Sequence, residues 1–135
     1  MAFVVDASIA GCWAFEDEDH PMAAAALERL RTEDAIAPSL WWFEVRNLLL
    51  VNERRGRISE ADMAAFLRRL SRLPITLGPR PDETQLLTLA RRHRLTVYDA
   101  AYLELAQRED IVLATLDGAL QRAAQAEGVA LVEAG

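Results

Sequence analysis

The chain has 135 residues, 52% of them hydrophobic, and a formal net charge of −6; that is one ordinary domain's length, enough to close a core without disulfides or a structural metal. A single cysteine, Cys12, excludes an internal bridge, and the negative balance excludes a protein that holds nucleic acid mainly through a broad basic face. One domain over residues 1–135 is expected. The start, Met1 to Asp6, has no basic segment and reaches an acid after a few apolar residues, so neither a signal peptide nor a membrane span is expected, and a reducing cytoplasm suits the lone thiol.

Phe3-Val4-Val5 is a short β-favouring run ending at Asp6-Ala7-Ser8, and Ile9 to Phe15 is compatible with helix, which puts Asp6 at a strand-to-helix junction. The acidic stretch Glu16 to Asp19 reads as a solvated loop. Pro21 suits the first turn of a helix from Met22 to Arg31. Ala35 to Ala37 reads as a strand, and Ser39 as the N-cap of a long helix from Leu40 to Arg55 that Gly56 ends. Ser59 and Asp62 resemble a capping box opening a helix to about Arg72. Pro74 to Leu77 reads as a strand, and Asp82 as the cap of a helix from Glu83 to His93. The last third repeats one rhythm, with Leu95 to Val97 as a strand before Asp99 and a helix to Arg108. Ile111 to Thr115 is then a strand before Asp117 and a helix to Glu127, and Val129 to Val132 closes the chain as a strand. Strands alternating with helices of this length predict an α/β fold on a parallel sheet.

Four carboxylates, Asp6, Glu44, Asp99 and Asp117, fall where this pattern places them inside the fold. The three aspartates each suit an N-cap, yet all follow predicted strands, whose C-terminal ends share the edge where α/β folds bind ligands. Glu44 caps nothing. Its helical neighbours are Leu40, Trp41, Asn47, Leu48 and Val51, a mostly apolar stripe that turns it towards core or pocket. Trp42, Phe43, Val45, Leu49 and Leu50 make the same helix apolar nearly all round, which predicts either full burial or a second interface with another copy or a partner protein.

Gathering several carboxylates within about 4 Å costs roughly 4 kcal/mol per charged pair at an effective dielectric near 20. Either some acids stay protonated or a divalent cation neutralises them. With oxygen ligands only, and with His20 and His93 outside the strand-end pattern as surface residues, Mg²⁺ or Mn²⁺ suits the set better than zinc. The chain has no lysine; the arginine groups at Arg54, Arg55, Arg57 and at Arg68, Arg69, Arg72 suit solvated helix ends or a phosphate backbone.

Val4-Val-Asp6-Ala-Ser8, Trp42-Phe-Glu44-Val-Arg-Asn47, Val97-Tyr-Asp99 through Ala106, and Leu113-Ala-Thr115-Leu-Asp117 together resemble the successive motifs of PIN-domain nucleases, specifically the VapC toxins of prokaryotic toxin–antitoxin pairs. The resemblance spans essentially the whole chain. It implies a three-layer α/β/α PIN-like domain with a central parallel sheet, a homodimer, endoribonuclease activity with Mg²⁺ or Mn²⁺, and a cognate VapB-type antitoxin. Asp6, Glu44, Asp99 and Asp117 match the acidic positions of the family, Thr115 its Ser/Thr beside the last acid, and Ser8 and Asn47 its frequent polar supports. The competing readings are a non-catalytic acidic pocket that accepts a partner's arginines and a PIN-like nuclease acting on DNA or flap substrates. A receiver-type phosphoacceptor, a phosphatase or a P-loop protein would need the lysine that is missing.

Overall fold

The structure is a computed structural model that describes residues 2–15 and 17–133. Its elements are β1 (Ala2–Val5), α1 (Ala7–Trp13), α2 (Pro21–Arg29), β2 (Asp34–Ala37), α3 (Leu40–Arg54), α4 (Glu60–Leu70), β3 (Ile75–Leu77), α5 (Glu83–His93), α6 (Val97–Glu109), β4 (Val112–Ala114) and α7 (Gly118–Ala126). The four strands form one parallel sheet in the order β3-β2-β1-β4, with Val4 opposite both Ile36 and Leu113. Phe3, Val4 and Val5 are wholly buried, as expected of a central parallel strand covered on both faces. Helices α1, α2 and α3 pack together, as do α5, α6 and α7, so the sheet is the middle of three α/β/α layers.

Helix α6 is the interior element. Every residue from Ala100 to Ala106 is buried, so its sequence shows little of the one-sided pattern of a surface helix. The polar member of that run, Glu104, is held by two guanidinium nitrogens of Arg108 one turn on, the shorter contacts being 2.8 Å.

Several sequence expectations are corrected. Leu95 to Val97 is not a strand: Thr96 caps α6 by accepting from the Asp99 N–H, and Val97 is already helical. The β-favouring Leu-Thr-Val therefore loses to a capping interaction plus the burial of the helix behind it. Val129 to Val132 is reduced to one bridge, Leu131 beside Leu113. Ser39 has helical backbone angles and makes no side-chain cap bond, whereas Asp6, Ser59, Asp82 and Asp117 all cap as expected. His93 is half-buried against Glu127 rather than on the surface. In the acidic stretch, Glu16 lies outside the described residues. Among the described residues no helix is long and apolar enough to cross a membrane.

Candidate active site

β1 and β4 lie side by side; β1 has β2 on its other flank, while β4 has the Leu131 segment on its own. The chain thus leaves the two strands in opposite directions, which is the switch point where parallel sheets open a crevice at their carboxyl ends. Asp6 follows β1 directly, and Asp117 stands just beyond β4. Since α6 runs back against the strands to reach β4, its first turn, carrying Asp99, returns to the same edge.

Asp6 is 5% exposed, and both of its oxygens are held. Oδ1 accepts from Ser8 Oγ at 2.6 Å and from the Ile9 N–H at 3.1 Å, and Oδ2 accepts from the Thr115 hydroxyl. The same hydroxyl oxygens accept backbone N–H groups of the loop after β4: Ser8 Oγ takes Leu116 N and Thr115 Oγ1 takes Asp117 N, each at 3.0 Å. Two short side chains therefore fix one carboxylate and stitch the β1–α1 junction to the β4–α7 junction. Gln121 adds a bond of 2.8 Å to the Thr115 carbonyl. Asp117 caps α7 through one oxygen, Oδ1 to Leu120 N at 3.1 Å, and is otherwise exposed.

Glu44 is half-buried. The buried face of α3 is Trp41, Val45, Leu49 and Asn52, so the glutamate sits at the flank of that face, where its Oε1 accepts from the hydroxyl of Tyr102. Val45 and Leu49 complete the core, while Trp42 and Phe43 are 43% and 70% exposed; the apolar excess of α3 divides between core and surface. Asn47 is exposed, and its side chain makes no hydrogen bond among the described residues.

The electrostatics run along the set. Burial pushes the Asp6 carboxyl up to about 6 despite its three hydrogen bonds, and the charge of Glu44 adds to the rise. Burial also raises Glu44, with Asp99 adding to it against the Tyr102 bond; Asp99 is raised by burial and then by Asp117. Each acid thus senses the next, from Asp6 through Glu44 and Asp99 to Asp117. None of the four is in an ion pair among the described residues. The N-termini of α1, α6 and α7 meet here, and their partial positive charges favour anions. The acids are not all interior, as the sequence suggested: Asp6 is buried, Glu44 and Asp99 half-buried, and Asp117 exposed.

For a cation the donor chemistry is consistent, because the four acids offer only carboxylate oxygens. The spacing is open, because among the described residues no three His, Cys, Asp or Glu side chains form a ready-made metal cluster. Sequence reasoning missed Tyr102, although its position three residues after Asp99 already placed it one helical turn away on the same side.

A protein-family model described as PIN domain matches residues 3–126. The chain belongs to the PIN-domain family. This PIN domain is 35% identical over 123 residues to Ribonuclease VapC3 of Pyrobaculum aerophilum, covering 87% of the present chain and 90% of that protein. Its fold superposes on the crystal structure of PAE2754 from the same organism with a TM-score of 0.69 at 26% identity, over 91% of this chain and 87% of that one. The VapC relationship and the α/β/α fold of the PIN domain agree with what the four sequence motifs implied.

Proposed function

We propose that this PIN domain is a metal-dependent endoribonuclease, the toxin of a VapBC-type toxin–antitoxin pair acting in the cytoplasm. The observation that carries the reading is the line of four carboxylates at the switch-point edge, of which Asp6, Glu44 and Asp99 are raised in pKa, with none of the four given a cationic partner among the described residues of a chain rich in arginine. Asp6 and Asp99 would hold Mg²⁺ or Mn²⁺ directly, Asp117 would be a second ligand or act through water, and Glu44 would be a ligand or orient the attacking water. When bound, such a cation supplies charge stabilisation at the scissile phosphate and a more acidic water.

The side chains do the rest. Ser8 and Thr115 hold Asp6 in one rotamer and, with the Ile9 N–H, leave one of its roughly four acceptor sites free; through Leu116 and Asp117 they fix the loop that carries the last acid. Water attacks phosphorus in line and the P–O3′ bond breaks; the carboxylate edge takes the proton lost by the water, and the departing O3′ gains a proton from solvent to leave as a 3′-hydroxyl. The exposed Trp42 and Phe43, with Leu77 on the outer strand, give an apolar surface suited to the second copy of a homodimer or to a VapB-type antitoxin.

The test sets single-stranded RNA and DNA of one sequence beside each other, with Mg²⁺ and with EDTA. Cleavage of the RNA alone, abolished by EDTA, is expected. Preferred cleavage of DNA would shift the reading to a PIN-like deoxyribonuclease, and no cleavage of either would favour an acidic pocket that binds arginines of a partner.

A further inference from the structure

Tyr102 has no place in the chemistry so far, yet it is the largest of the fully buried side chains. It lies on α6 one turn beyond Asp99, and its hydroxyl crosses to α3 to donate to Glu44 Oε1, joining residues 58 positions apart. A buried phenol needs an acceptor, and any backbone carbonyl would satisfy it. Here the acceptor is instead one oxygen of the acid that faces Asp99. That bond is also the one side-chain hydrogen bond Glu44 makes among the described residues, so Glu44 otherwise keeps the rotamer freedom of a half-exposed glutamate.

We infer that Tyr102 is a positioning residue: anchored in the core of α6, its hydroxyl holds Oε1 of Glu44 and thereby leaves Oε2 as the oxygen presented to the cation and water at the acid edge. The inference rests on the metal-dependent reading above and gives the glutamate the kind of fixed support that Ser8 and Thr115 give Asp6. The hydroxyl is the donor of this pair, since a phenol keeps its proton at neutral pH and a carboxylate only accepts. The two supports differ in origin. Asp6 is fixed by neighbours along its own strand edge, while Glu44, on a helix separated from β2 by two residues, is fixed only from across the fold.

The experiment uses the full chain and four proteins: wild type, Tyr102→Phe, Glu44→Gln and the double variant. Each is measured for Mn²⁺ affinity by calorimetry, for thermal midpoint, and for kcat and KM on RNA. Tyr102→Phe keeps the ring in the core, so a merely structural hydroxyl would lower the midpoint and leave Mn²⁺ affinity and kcat unchanged. The positioning role predicts Mn²⁺ binding weakened about ten- to hundredfold, a comparable fall in kcat, and an unchanged KM. It further predicts that Tyr102→Phe does nothing more to Mn²⁺ binding once Glu44 is Gln. Wild-type Mn²⁺ affinity in Tyr102→Phe, or an equal loss in both Glu44 backgrounds, would overturn the inference alone. Absence of Mn²⁺ binding and of RNA cleavage in the wild type would overturn it together with the proposed function.

Discussion

Glu104 and Asp6 are both closed to solvent, at 1% and 5% exposed, yet the fold treats them in opposite ways. Glu104 is met by a bidentate guanidinium from Arg108. Glu127 likewise takes Arg92 at 2.7 Å together with His93, and these hydrogen bonds hold its carboxyl below the usual range. Asp6 receives only hydroxyls and a backbone N–H, and its carboxyl rises to about 6. The chain has fifteen arginines, so it does not lack cations to place. Buried charge is normally paired because an uncompensated one costs several kcal/mol, and here the exception is confined to one edge. The contrast separates acids that hold the fold together from acids held ready by it.

The largest effect that would break this distinction is on activity. Asp6→Asn or Asp99→Asn should lower RNA cleavage at saturating Mg²⁺ by about a thousandfold, roughly 4 kcal/mol of barrier, with the thermal midpoint unchanged or raised. Wild-type turnover in either variant would move that acid out of the reactive set. On the paired side, Arg108→Ala strands Glu104 in the interior and should remove about 3 kcal/mol from the unfolding free energy in denaturant titration. Cleavage per folded molecule should be unaffected, and a lower turnover would mean that the two groups of acids are coupled.

The third effect is one of pH. For Asp6 the folded state binds its proton more tightly than the unfolded chain, with pKa moving from 3.8 to about 6. Its buried charge therefore weakens the fold at neutral pH, and this weakening disappears as pH falls through about 6 towards the unfolded value. In EDTA, Asp6 alone should add up to about 3 kcal/mol on acidification, partly offset by groups such as Glu127, whose lowered pKa acts with the opposite sign. Asp6→Asn should remove that gain when urea midpoints are compared across pH, whereas equal slopes in the two proteins would show that Asp6 is not held against its charge.

Much of this was legible in the sequence where local chemistry decides. Asp6, Ser59, Asp82 and Asp117 cap their helices because a short acceptor before a helix has a partner two or three residues on, and Phe3-Val4-Val5 read as a strand because of its β-favouring residues. Leu95 to Val97 was misread because β-favouring residues also fit the first turn of a helix whose burial lies downstream, at Ala100 to Ala106. Asp99 reaches the common edge by riding that turn rather than by following a strand. The outer position of Asp117 and the meeting of Tyr102 with Glu44 depend on how α3 and α6 pack across the sheet, which no local pattern carries. Glu104 escaped notice since an acid and an arginine four residues apart on a helix usually mark a solvated face.

The claim that the acid edge is a cation site is most directly tested by calorimetric titration of Mn²⁺ into the wild-type chain near pH 6, repeated in buffers of different ionisation enthalpy. If Asp6 and its neighbours are held part-protonated until a cation replaces the proton, saturable binding should release protons, and Asp6→Asn should abolish the binding. Heats that show no saturable site, or the same binding and proton release in Asp6→Asn, would contradict the account.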